Sequence, residues 1–188
     1  MKLFMKTTST GFYNNSELIS IAFVSEYGDS FYGEITDYDD SQLSDWTKTN
    51  VLPKLLHDNS IVRAYGLIDL KCEGTGDEIK EYLNVWLKEV KNNHNCTEVM
   101  EVWGDNIVFD WVLFCKLYGH LYNVPECIGL VPLDMCVLFK LKFGVPYVVR
   151  EDYLGKGIRG REKKYNALND ALVTKACYEK LMNDMEVR

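Results

Sequence analysis

Leu18-Ile19-Ser20-Ile21-Ala22-Phe23-Val24-Ser25 is the stretch on which the fold turns. Ile19, Ile21 and Phe23 alternate with Leu18, Ser20 and Ala22, a period of two, so the run reads as a β-strand. Lys2–Thr7 is a short strand candidate before it. Ser30–Thr36 is a third, after the turn-like Tyr27-Gly28-Asp29. Short connections between the three favour an antiparallel meander.

Beyond the meander the period lengthens. A helix is expected from a cap near Asp40–Ser41, carrying Leu43, Trp46 and Val51-Leu52 before Pro53. Asp77 is expected to cap a second helix, Glu78–Lys91, in which Ile79, Leu83, Trp86 and Val90 form one apolar stripe. Glu98–Trp103 reads as a buried strand, and Ile107–Tyr118 as a helix stopped by Gly119. Leu133–Phe143 reads as a helix within an apolar stretch, Gly155–Lys164 as a glycine- and charge-rich loop, and Asn166–Met182 as the final helix. Strands first, then helices alternating with strands, predict an α/β mixed sheet flanked by helices. No repeat or linker marks a second domain, so residues 1–188 are expected to form one.

Composition narrows the function classes. The chain is 47% hydrophobic and 26% charged, ordinary for a packed globular protein and unlike a disordered one. Its net charge of -7 disfavours nucleic-acid binding through bulk electrostatics, while leaving room for a local basic site or a protein partner. The six cysteines contain no C-x-x-C pair, and His57, His94 and His120 are scattered. Reduced thiols are expected, and structural zinc is not. The most apolar stretch, Ile128–Val149, is broken by Pro132, Asp134, Lys140 and Lys142, which is too interrupted for a membrane span. With no apolar leader at Met1–Gly11, a cytoplasmic location is expected.

Three segments carry the chemistry. The first is Lys6-Thr7-Thr8-Ser9-Thr10-Gly11, at the end of the first strand. The second is Trp103-Gly104-Asp105-Asn106-Ile107-Val108-Phe109-Asp110-Trp111, a strand running into a helix. The third is Tyr165-Asn166-Ala167-Leu168-Asn169-Asp170-Ala171, opening the last helix. In order they resemble the three motifs of the DEDD-type 3'-5' exonucleases; Tyr165 lies five residues before Asp170, where the tyrosine branch of the family has four, so it stands as a substituted histidine. Glu17-Leu18-Ile19-Ser20-Ile21, together with Trp46 and Val51-Leu52-Pro53-Lys54-Leu55, is similar to a small bacterial and phage 3'-5' exoribonuclease subgroup.

The resemblance implies an RNase H-like fold, an antiparallel meander extended by parallel strands. It also implies where a nuclease site would lie. Asp110 matches the motif II aspartate and Asp170 the motif III aspartate. Lys6 stands where the family has the motif I Asp, Thr8 where it has the Glu, and Tyr165 where one branch has its general-base His. In the family these acids hold two Mg²⁺ or Mn²⁺ ions, one activating water and both steadying the phosphate. Only Asp110 and Asp170 remain as hard ligands. A lysine about 4 Å from a divalent ion repels it by several kcal/mol, and an unperturbed tyrosine, with a pKa of about 10, is a poor base near neutrality. Lys6 is expected instead to supply, from within the chain, the positive charge that the two aspartates need.

A catalytically impaired exonuclease-like protein without a metal cofactor is therefore expected. Its partner is expected to be single-stranded RNA or DNA, or a host protein such as a nuclease or defence factor countered by a phage. The alternative is an active metal-dependent exoribonuclease in which Asp105, Glu17 or Glu98 has taken over as ligand. Lys156, Arg159, Arg161, Lys163 and Lys164 cluster before motif III and are candidates for phosphate contacts, or else form a solvated loop. Phe12, Tyr13, Trp103 and Trp111 are candidate stacking platforms. Bland readings stand beside these: Asp110 as a helix-dipole residue, Asp170 as a solvated helix residue, and Thr7–Gly11 as an ordinary turn.

Overall fold

The computed structural model describes residues 1–155 and 164–186. The meander is as read: β1 (Lys2–Ser9), β2 (Leu18–Ser25) and β3 (Ser30–Ile35) pair antiparallel. All eight residues of β2 are buried, so helices must cover both faces of the sheet. Leu3, Met5, Ile21, Phe23 and Phe31 point to one face. Ala22, Val24 and Tyr32 alternate with them and point to the other.

The first face is covered by α2 (Gly76–Asn93) and α3 (Val108–Leu117). The α2 stripe is Ile79, Leu83, Trp86, Leu87 and Val90, all buried. Trp86 has no exposed surface, and its indole N–H donates to the Ile68 carbonyl at 3.1 Å. Gly33 lets α2 sit this close: a Cβ there would lie 2.7 Å from the Ile79 side chain. The second face is covered by α6 (Ala167–Glu186), whose Ala167 and Ala171 pack on Ala22, Val24 and Tyr32. Beyond it α4 (Met135–Phe143) and α5 (Arg150–Leu154) join α6 in a satellite core of Met135, Phe139, Cys177 and Leu181.

Four further pairings complete the sheet. β6 (Glu101–Gly104) runs parallel to β1, and β7 (Leu133–Asp134) parallel to β6. On the other side β5 (Leu67–Gly74) runs parallel to β3, with β4 (Ser60–Ala64) as its antiparallel edge. The order is β4-β5-β3-β2-β1-β6-β7, a seven-stranded mixed sheet flanked by helices. This is the α/β architecture expected, with the meander and its parallel strands arranged as in an RNase H-like fold.

Three expectations are corrected, and one element was not foreseen. The helix expected from Asp40–Ser41 is split: Asp39 caps a single 3-10 turn at Asp40–Gln42, and Ser44 caps the helix proper, α1 (Asp45–Asn50). α2 is capped by Thr75 rather than Asp77, because Thr75 and Glu78 form a reciprocal capping box that Asp77 cannot. Leu133 and Asp134 are the strand β7, and Asp134 then caps α4. The β4–β5 hairpin was not expected at all. Its two-residue turn, Tyr65-Gly66, takes φ of 53° and 77°, the left-handed pair that matches strand twist. All six cysteines are free thiols. Among the described residues no helix is long and apolar enough to cross a membrane.

Candidate functional site

β1 ends at the mouth of a cleft of about 570 Å³ formed where β1, α1, α3 and α6 converge. Lys6, Thr8, Asp110, Tyr165 and Asp170, the five positions singled out by motif, all line it. Lys6 and Thr8 are two residues apart on one strand, hence on one face.

The Lys6 ammonium lies 2.8 Å from Asp110 Oδ2 and donates to the Asp105 carbonyl at 2.9 Å. Asp110 is 6% exposed and is reached from two sides. Its Oδ1 accepts from the Thr7 backbone N–H at 2.9 Å and from the Thr7 hydroxyl at 2.5 Å. Burial alone would lower the Lys6 pKa. Asp110, then Asp105 and Asp170, outweigh it and raise the value above that of an ordinary lysine. Asp110 does lie in the first turn of α3, but its carboxylate is spent on β1 and caps nothing. Thr8 is turned to Ser20, with the hydroxyls 2.7 Å apart.

The strand-to-helix turn that delivers Asp110 is tight. A Cβ at Gly104 would lie 2.6 Å from Ile107, and Asn106 takes a φ of 54°. Asp134 holds the turn, accepting from the N–H groups of Asn106 and Ile107 at 3.1 and 3.2 Å. Asp105 lines the cleft, but Arg150 forks its carboxylate, Nε at 2.9 Å and Nη2 at 2.5 Å. Arg150 is itself fixed over the Phe139 ring at 3.9 Å. Burial, then Asp105, pushes the neighbouring Cys136 thiol up to about 11, so it is no nucleophile at neutral pH.

Asp170 completes the floor. Asn166 sets its position: the Asn166 amide donates to the Tyr32 hydroxyl at 3.1 Å and to the Lys54 carbonyl at 2.9 Å. Its oxygen accepts from the Asn169 N–H at 3.1 Å, opening α6. Asp170 is half-buried, and its pKa is raised to about 6 by desolvation, which Lys6 and the Tyr165 backbone N–H only partly offset.

The walls are aromatic. Phe12 packs on Phe109 with centroids 5.2 Å apart, and Trp46 meets Tyr165 edge-on at 4.9 Å. Phe12 and Tyr13 stay 84% and 67% exposed, and Trp46 49%, so much of each ring remains open to a ligand. Thr10, fully buried, anchors this rim: its hydroxyl accepts from the Glu17 N–H at 2.9 Å, and its carbonyl accepts from the Thr47 hydroxyl at 3.3 Å.

Other expected positions fall elsewhere. Trp111 is buried in the main core, and Trp103 packs on Tyr178, so neither is a wall of the cleft. Glu17 accepts from the Asp39 N–H outside the cleft, and Glu98 is an exposed residue away from it. Lys156, Arg159, Arg161 and Lys163 lie outside the described residues. Lys164 pairs with Glu151 at 3.5 Å, beside the Tyr165 ring rather than in the cleft. Sequence reasoning missed Trp46, Phe109, Arg150 and Asn166 as parts of the site. Phe109, beside Asp110, and Asn166, beside Tyr165, were the two with a local signal.

The residues present do not fit a two-ion centre. A carboxylate offers about four lone-pair directions, and three of those on Asp110 are taken by Lys6 and Thr7. Asp105 is taken by Arg150, and a cation already occupies the floor.

No family model matches the chain. Two proteins described as 3'-5' exoribonucleases, from two strains of Mycobacterium tuberculosis, are each 29% identical to it over 113 residues. The match covers 60% of this chain and 58% of each relative, so the chain spans less than two thirds of the proteins it resembles.

Proposed function

We propose that this chain is an exonuclease-like protein in which an internal lysine replaces the catalytic metals, so that the cleft binds without cutting. The observation that carries this reading is the Lys6–Asp110 ion pair of 2.8 Å, set on the floor of a cleft lined by all three motifs. Lys6 sits where the resembled family has its bridging acid. The likeness to 3'-5' exoribonucleases supports descent from an exoribonuclease. Hydrolysis then lacks its water-activating ion, and Tyr165 replaces the base that would take the proton. A role for such a protein in a phage, countering a host nuclease or defence factor, belongs to the same proposal. The relocated-ligand alternative is the weaker reading: Asp105 lines the cleft and lies with Asp134 and Cys136 in a group that could hold an ion, but Arg150 forks its carboxylate, and Glu17 and Glu98 lie outside the cleft.

The test is incubation with end-labelled single-stranded RNA and Mn²⁺, alongside a K6D/T8E double variant. The unmodified chain is expected to leave the RNA intact, and the variant to shorten it from the 3' end. Stepwise shortening by the unmodified chain would overturn the proposal.

A further inference from the structure

We infer that the cleft receives the cationic side chain of a lysine or arginine presented by a protein partner, rather than the phosphates of a nucleic-acid end. This rests on the metal-free reading of the site, because loss of the ions reverses the sign of the ligand that the acids favour. With divalent ions in place, carboxylates draw phosphate in through the metals. Without them, the carboxylates face the ligand directly.

Among the described residues, the charged groups lining the cleft are Lys6, Asp105, Asp110 and Asp170. Lys6 is spent on Asp110 and on the Asp105 carbonyl, and Asp105 is forked by Arg150. Asp170 is left on the floor with a backbone N–H from Tyr165, and no described lysine or arginine forms a salt bridge with it. A phosphate entering here would meet Asp110 and Asp170 directly, while Lys6 and Lys164, each paired with another acid, act on Asp170 only from a distance. An ammonium or guanidinium would give Asp170 the direct ion pair that no described lysine or arginine makes with it.

The walls point the same way. Trp46, Tyr13, Phe12, Phe109 and Tyr165 line the same cleft as that carboxylate. Aromatic faces attract cations held within about 6 Å of their centroids, tryptophan most strongly. Rings joined to a single acid make a cage for a cation, and the volume of about 570 Å³ exceeds one side chain, leaving room for flanking peptide. Exposed Trp and Tyr are the residues that anchor protein interfaces. The net charge of -7 adds steering toward a basic partner at low salt.

The test compares two fluorescein-labelled probes by anisotropy at 50 mM NaCl: a peptide Gly-Arg-Gly-Lys-Gly and an eight-nucleotide single-stranded RNA. The peptide is expected to bind at least ten-fold more tightly than the RNA or a peptide with glutamates in place of its basic residues. D170N and W46A are each expected to weaken peptide binding about ten-fold, while K6A, which frees Asp110, strengthens it. Tighter binding of the RNA, no peptide binding up to 1 mM, or peptide binding indifferent to D170N and W46A would each overturn the inference. RNA bound but left uncut overturns the cationic ligand while sparing the metal-free reading. RNA shortening overturns the reading beneath it.

Discussion

Replacing Lys6 by alanine isolates the charge that organises the cleft. The substitution removes an ammonium that is 20% exposed in its side chain and strands an Asp110 carboxylate that is 9% exposed. Deleting one member of a buried ion pair costs about 3–5 kcal/mol. Asp110 keeps its two bonds from Thr7, and the cleft admits water, so the lower end applies, about 3 kcal/mol at pH 8. For a chain of this length that lowers Tm by about 6–12 °C. The pH dependence has a definite sign. Without Lys6, Asp170, which desolvation already raises to about 6, loses an opposing charge and holds its proton to still higher pH in the folded state than in the unfolded chain, where carboxylates titrate near 4. The folded state then binds the more protons, so the variant regains part of its stability as pH falls from 8 to 5. Mn²⁺ supplies a second arm. At a hundred-fold excess over its Kd, an ion entering beside the two freed aspartates adds about 2.7 kcal/mol to the variant, whereas the parent chain gains nothing. Urea unfolding at pH 5 and pH 8, with and without Mn²⁺, reads all three effects. A deficit below about 0.5 kcal/mol at both pH values, or NMR titration of Asp170 near 4 in the variant, would refute Lys6 as the internal countercharge.

Two further outcomes are expected. D170N removes a carboxylate whose pKa burial has raised to about 6 from an unfolded value near 4. Such a group stabilises the fold when protonated and costs stability as pH rises through that window, so D170N gains about 1–2 kcal/mol over the parent at pH 8 and nothing at pH 4; equal stability of the two chains at pH 8 in urea melts would contradict it. N166A loses bonds to Tyr32 and Lys54 and the bond that opens α6, at about 1 kcal/mol each. Its unfolding free energy should fall by about 3 kcal/mol, and an unchanged denaturant midpoint would show that α6 is held by packing alone.

How much of this was legible in the chain depends on the range of the determining contacts. β2 was readable to the residue, since its alternation is local and its pairing with β3 follows from a short turn. The cap of α2 was read one step off, because Thr75 and Asp77 are both good caps and the deciding feature is the reciprocal bond from Glu78. The β4–β5 hairpin escaped notice because β4 is exposed along almost its whole length and carries no buried face to pattern its residues. In the site, Lys6, Thr8, Asp110, Tyr165 and Asp170 were legible as motif positions, and the structure gathers them. Trp46 and Arg150 were not, since nothing near either in sequence specifies Tyr165 or Asp105 as its neighbour. Trp111 shows the converse: adjacency to Asp110 along a helix turns it away from the cleft and into the core.

The lysine on the floor of the cleft has a consequence for supply. An ion taken from solution occupies its site only as far as its concentration, its competitors and its exchange rate allow. The Lys6 ammonium is tethered through its own backbone, so dilution cannot remove it, a chelator cannot strip it, and no other cation can take its place by abundance. On the proposed reading, the cleft therefore keeps the same internal cation across magnesium-rich and magnesium-starved surroundings.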